Sequence, residues 1–569
     1  MGQTVAYSQQ ELDTERSTGL AIFRQQQPIL KSFNEKTQVP HIHLRLCSSG
    51  YLELCGPDPG GKLESFLKSK WQADDAVLVG RRVMPSGACC WQTRGEANLP
   101  RETMDYTCDK HLVFGKQLTD GSVQGNGVFH SQGWQGESNM AKLTLSLINF
   151  MNELHCELLS CSMENLETRF RESQLTFRAP HEKSTLGPFM MVTMRQTGYI
   201  ELVGANAEGI LDQLSKYVQQ ALGCSRLEAN EIFCDRKFQA TFAFPSHAVS
   251  SSGDNNMGRG AAGIINFMAQ TCGWSLVSHT ESDRGQDGQG RERNMLFRRD
   301  SLGFHAHVIV ELRNAGRIYL NGAKEGLREA EGYFLKRGCQ ACSPENLCDA
   351  QYVGAAGFFV VDEANNTNLG RRTVEVTEWM SGKGWVLRSC SGMQHNHQCG
   401  AKRHEQHLVF ARPKQRNQAP SPTSTLAVEF RVLPQSIKRD YTCVVQISGQ
   451  NTNGVYEKLL SHLTEIMLCE NVGPQGFCDL LLASNALRVT GLNLHGESNF
   501  GKFSSILCDF MVDHLKQWAL VSNVGQSGSK RWNVSEGQTP HYVTLLARQQ
   551  LFIFCSDSPA PLQEKMSTL

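Results

Sequence analysis

The stretch NTNLGRRTVEVTEWMSGKGWVLRSC, residues 366–390, decides the fold. A polar start gives way to a helix-length apolar segment ending in Trp379-Met380. Several residues later Trp385 opens a second segment, in which Trp385, Leu387 and Ser389 alternate with Val386 and Arg388 as in a strand that a helix covers on one face. A variable loop follows, and HLVFARP, residues 407–413, reads as a closing strand. The same order occurs three more times. GESNMAKLTLSLINFMNELHCELLSC at 136–161 closes with QLTFRAP at Pro180, and NNMGRGAAGIINFMAQTCGWSLVSHT at 255–280 closes with NMLFRR at Arg299. GESNFGKFSSILCDFMVDHLKQWALVSN at 496–523 is expected to close with YVTLLARQ at Gln549. An aromatic-Met pair ends each helix, and Trp274, Trp385 and Trp518 open three of the strands, with Cys156 in that place in the first copy.

Between these passages lie partner segments of another common order, two strands, a helix and one or two further strands. HVIVELRNAGRIYLNGAKEGLREAEGYFLKRG at 307–338 is the plainest, with a hairpin at Asn314-Ala315-Gly316 and helical spacing of Leu327, Ala330 and Phe334. Ile42–Lys70 and Gly187–Gly223 repeat it, as does a fourth segment that begins at Leu426 and has 440–468 as its core. Neither half buries enough surface alone, so the paired halves predict an α+β fold of four tandem diverged modules, each an antiparallel sheet with helices packed on one face. The expected divisions are a flexible start over 1–38, modules at 39–182, 183–302, 303–413 and 425–550, a Pro/Ser-rich linker at 414–424 and a flexible tail at 551–569.

Composition narrows the function. With 569 residues and 40% hydrophobic side chains the chain is globular and of several domains. Its 56 basic and 56 acidic side chains cancel, so no global field draws it to nucleic acid, and none is expected as a partner. No apolar run reaches membrane-spanning length, and the start MGQTVAYSQQELDTERS lacks a secretory h-region. Twenty scattered cysteines, many inside apolar stretches, fit reduced thiols in the cytoplasm.

No nucleophile elbow, Walker A loop, H-E-x-x-H helix or Rossmann fingerprint in its required context occurs, so a non-enzymatic role is expected, with a dispersed active site as a further reading. The densest group of ligand-type residues is CSGMQHNHQCGAKRHEQH, which sets Cys390, His395, His397, Cys399, His404 and His407 in one expected hairpin loop; thiolate and imidazole suit zinc, though the spacing matches no finger. Cys339, Cys342 and Cys348 form a thinner set. The polar helix starts at Gly136–Asn139 and Gly496–Asn499 are expected to cap their helices, and the arginines of GRERNMLFRRD to lie at solvated strand ends. Met1-Gly2 with Ala6 is a degenerate myristoylation signal, placing an acyl chain on Gly2.

GYLELCGPDPGGKLESFLKSK at Gly50, GWVLRSC at Gly384 and HLVFARP at His407 resemble segments of the raftlin family, lipid-raft-associated linker proteins that begin Met-Gly. The resemblance implies acylation at Gly2 and attachment to the inner face of the plasma membrane; unlike that family, this chain has no Cys beside Gly2. The resulting expectation is a scaffold or adaptor that binds protein partners through several modules and is weakly tethered to a cytoplasmic membrane face. The alternative is a ligand- or metal-binding regulatory protein.

Overall fold

The computed structural model describes residues from His41 to Ser556 with gaps, the longest at 86–109, 241–255, 415–423 and 433–442. Four six-stranded antiparallel sheets form the molecule. Module 1 contains β1 (His41–Cys47), β2 (Tyr51–Cys55), α1 (Lys62–Trp71), β3 (Ala73–Asp75), β4 (Lys110–Phe114), α2 (Met140–Glu153), β5 (Glu157–Asn165) and β6 (Arg171–Arg178). Module 2 follows as β7 (Phe189–Arg195), β8 (Tyr199–Gly204), α3 (Ile210–Ala221), β9 (Cys224–Leu227), β10 (Arg236–Ala240), α4 (Met257–Phe267), β11 (Trp274–Asp283) and β12 (Arg291–Arg299). Module 3 has β13 (Phe304–Arg313), β14 (Arg317–Gly322), α5 (Lys324–Lys336), β15 (Gln340–Cys342), β16 (Ala350–Val353), α6 (Leu369–Ser381), β17 (Val386–Asn396) and β18 (Lys402–Pro413). Module 4 has β19 (Thr425–Val432), β20 (Cys443–Gly449), α7 (Val455–Met467), β21 (Glu470–Gln475), β22 (Cys478–Ser484), α8 (Phe500–Cys508), β23 (Trp518–Glu536) and β24 (Thr539–Ser556). Every sheet has one strand order, fifth, sixth, first, second, fourth, third, so the four modules are copies of one topology.

Backbone chemistry explains the recurring landmarks. Between the second helix and the fifth strand of modules 1 to 3 the chain takes a left-handed turn at His155, Gly273 and Gly384, which is why glycine precedes tryptophan in two copies. That turn lets the amides of Cys156 and Trp385 donate to the carbonyls of Met151 and Met380, closing the helix that the aromatic-Met pair ends. Gly56, Gly204, Gly322 and Gly449 end the second strands at positive φ, and a Cβ there would press on the first strand of the same sheet. On the outer side, the carboxylate or amide oxygens of Asp58, Asn206 and Asn451 accept amides in the first turns of α1, α3 and α7.

First strands are buried on both faces. In β13, Val308, Val310 and Leu312 join the core under α5 and α6, whereas Ile309 packs into the core of module 2. Two expectations are corrected. The tail does not begin at 551: Leu551, Phe552, Ile553 and Phe554 are core residues of β24, and Phe554 pairs with Leu426, so the closing strand includes YVTLLARQ and runs on through QLFIFC. The alternation of large apolar residues on both faces is what the central position of that strand demands. Of the expected solvated arginines, Arg291 and Arg293 are fully enclosed.

Candidate functional site

The chemistry of the described residues concentrates where one module meets the next. Helix α2 packs on β7 and β8, α4 on β13 and β14, α6 on β19 and β20, and α8 returns to β1 and β2. Central strands β5, β11, β17 and β23 each touch two others, β23 touching β5, so the modules close a ring with four seams. Each sheet thus has its own helices on one face and its predecessor's helix on the other.

Small residues let the helix starts approach. Side chains at Gly258 and Gly501 would strike Glu311 and Asn321 in one seam and His43 and Cys55 in another. One residue later comes a cation. Lys142 Nζ lies 2.8 Å from Asp235 Oδ1, Arg259 Nε 3.0 Å from Asp349 Oδ1 and Arg371 Nη2 2.7 Å from Asp479 Oδ1, each across a seam. The second oxygen of each aspartate accepts the amide of Gly204, Gly322 or Gly449. Near the helix ends, Asn266, Glu378 and Asp509 accept the amides of His307, Thr425 and His41, which belong to the first strands of the next modules. Asp509 also lies 2.5 Å from His41 Nδ1.

At the ring's centre each strand carries one bulge, ending at Ser160, Ser278, Ser389 and Ser522. Bulges re-aim side chains. Leu159, Val277 and Val521 thereby pack against the cores of modules 4, 1 and 3. The four serine hydroxyls donate, in turn, to the carbonyls of Asn523, Cys161, His279 and Cys390, completing a cycle through all four modules. Side chains therefore replace the backbone ladder between neighbouring sheets, and Ser160 and Ser389 accept the amides of Asn523 and His279 in return.

The seam between modules 2 and 3 adds a buried charge network. Glu281 lies 2.6 Å from Arg293 Nε and 3.1 Å from His407 Nδ1. Arg293 also donates to Glu311 at 2.7 Å, while Arg291 holds Glu405 with two bonds of 3.0 Å. Arg313 reaches Glu311 at 3.1 Å. Three carboxylates face three guanidinium groups, with His407 among them. Burial would raise the carboxyls, yet Arg293 and His407 hold Glu281 well below the usual range and bring Glu311 to about 2. For His407, burial works against the charged form, and Glu281 and Glu311 outweigh it to raise the imidazole. Burial lowers His279 and His307 to about 3 and His43 to about 4, so these three are neutral. The network's acids and bases are paired with one another.

The sequence-derived candidates fare differently. Cys390 pairs with Leu408 and lies in the core of module 3; His407, one residue away, faces the charged seam on the other side of the sheet. One ion cannot take both, and the expected single loop is a pair of strands. His395 and His404 lie on those strands, with side chains outside the described set, and His397, Cys399 and Gly2 lie outside the described residues. Among the described residues no group of three or more His, Cys, Asp or Glu is placed to hold a metal. Cys339 and Cys348 are buried and Cys342 exposed, all free thiols. At the first of the expected capping starts Ser138 Oγ accepts the amide of Met140, and Asn499 lies outside the described residues; Asn139 and Asn368 instead accept the amides of His130 and Val360 and donate to the carbonyls of Val128 and Phe358, clipping the preceding loops.

The seam latches were present in the sequence as two repeated patterns. Cys-Asp recurs at 108–109, 234–235, 348–349 and 478–479, and Asn, an apolar residue, Ala or Gly, then Lys or Arg recurs at 139–142, 256–259, 368–371 and 499–502. Asp109 and the Lys502 side chain lie outside the described set. Compared with known family models, curated proteins and solved structures, the chain has no match.

Proposed function

We propose that this protein is a non-enzymatic scaffold, a closed ring that holds four module rims in fixed mutual positions for protein partners. The observation that carries the reading is closure itself, with α8 of the last module seated on β1 and β2 of the first. Fixed spacing of several docking surfaces raises effective concentration for multivalent partners without any new contact. Buried polar groups favour the same reading: Arg291, Arg293 and Ser160 each bond a residue of a neighbouring module. No described helix is long and apolar enough to cross a membrane, so membrane attachment would come through an acyl chain on Gly2, as the raftlin resemblance implies.

The test is to express the full chain and Gly2→Ala in a eukaryotic cell and to measure intact mass, membrane partitioning and cross-linked partners. A myristoyl increment and membrane pelleting lost in Gly2→Ala, with partners cross-linked to two or more module rims, are the expected results. Unmodified soluble protein in both samples removes the tether. Partners confined to one module, or none, end the scaffold reading.

A further inference from the structure

We infer that the seam between modules 4 and 1 is a self-recognition surface through which a second copy of this chain docks head to tail. The other three seams are bridged by short backbone joins, at 179–188, 300–303 and 414–424. Four residues span at most about 14 Å, and such tethers keep facing surfaces at millimolar effective concentration. An opened seam of that kind closes again on itself. Modules 4 and 1 are consecutive in space but lie at opposite ends of the chain order, so their surfaces are joined only through the whole of the intervening ring.

The seam is also heterologous, with a helix surface on one side and a sheet surface on the other. The helix side presents Asp509 and Ser505 to the amide and carbonyl of His41, and the central strand presents Asn523 to Ser160. A copy opened at this seam exposes both surfaces, and each is complementary to the opposite surface of another copy. Heterologous contacts of this kind join copies into larger rings or chains whenever the intramolecular partner is absent. Every bond lost within the monomer is regained between molecules, so concentration governs the balance.

The experiment mixes full-length chains bearing two different tags, incubates them over a range of concentrations and counts mixed-tag dimers by native mass spectrometry. Mixed dimers are expected to rise with concentration in the wild type. Because Asp509 serves the closed and the joined seam equally, Asp509→Ala should leave their final level unchanged and raise the rate at which they form about tenfold, a change of 1.4 kcal/mol in opening. Asn266→Ala, at the corresponding place in a backbone-bridged seam, should form them at the wild-type rate. No mixed dimer in either the wild type or Asp509→Ala overturns the inference, as does an equal gain in rate in Asn266→Ala. Should Asp509→Ala aggregate, Asp509→Asn keeps a group able to accept the His41 amide, as Asn266 does for His307. Hydrogen exchange in that variant should then be faster in β1 than in β13, and equal rates overturn the inference.

Discussion

The seam between modules 2 and 3 and the seam between modules 4 and 1 share one frame and fill it differently. Both have a helix laid on the next sheet, a polar side chain near the helix end bonded to a first-strand amide, and a serine bridging central strands. In the first, Glu281 and Arg293 face each other across β11 and β12; the paired residues at the same places are Met163 and Ser173, Gly392 and Gln406, and Gly525 and Gln550. In the second, Asp509 lies against His41, Gln550 donates to Gln174 and Asn523 to Thr176, each at 3.3 Å, and the buried ion pairs of Arg45 with Glu53 and Glu172 stay within module 1. The difference teaches that a seam closes whether its buried guanidinium–carboxylate pairs are shared across two modules or kept within one. A buried ion network roughly balances attraction against desolvation, so its strength shows only when one member is removed.

Breaking the charged seam is the most severe test of this contrast. Arg293→Met removes the guanidinium that Glu281 and Glu311 share, leaving them His407 and Arg313, and should cost about 3–5 kcal/mol in urea unfolding. The double change with Glu281→Met, which imitates Met163 of module 1, should recover part of that loss. If the double variant is as unstable as the single, charge itself closes the seam.

Acid separates the seams next. His43, His279 and His307 are neutral when folded, with values near 4, 3 and 3. Below the unfolded value of about 6.5 the unfolded chain binds more protons, so stability falls with falling pH, by on the order of 2 kcal/mol per histidine at pH 5. His407 works the other way. Its raised folded value gives stability that is complete below about 6.5 and fades as pH rises through that folded value. His407→Gln should therefore flatten the alkaline side of a stability–pH curve and, by withdrawing a charge that holds Glu281 and Glu311 low, move their acid loss to higher pH; an unaltered alkaline side would remove the histidine from the seam's balance.

A smaller effect is expected at the centre. Ser389→Ala loses the bonds to the amide and carbonyl of His279 and should cost about 1–2 kcal/mol, with faster hydrogen exchange in β11 and β17. The smallest belongs to the outer latches. Arg371 and Asp479 are partly exposed, so Arg371→Ala should cost less than about 1 kcal/mol and the effect should shrink in high salt. A larger, salt-insensitive loss would make the latch a principal closure of the ring rather than an outer one.

The sequence by itself determined the repeat. The aromatic-Met pairs, the Gly-Trp strand openings and the helical spacing of Leu327, Ala330 and Phe334 are set by local backbone geometry and by the need of each module for its own core, so they recur with the chain. Four copies of an α+β unit were legible for that reason. The seams were not. Arg291 and Arg293 look like solvated residues because the carboxylates that neutralise them, Glu281, Glu311 and Glu405, lie on other strands, and a strand such as LFIF looks like the start of a tail until β19 is placed beside it. Even the repeated Cys-Asp and Asn-x-x-Lys/Arg patterns carry no meaning until one module's aspartate meets another's cation. Tertiary structure alone decided that the four modules close, because closure depends on the relative angle of successive sheets, and that angle is fixed by long-range packing of each helix on the next sheet.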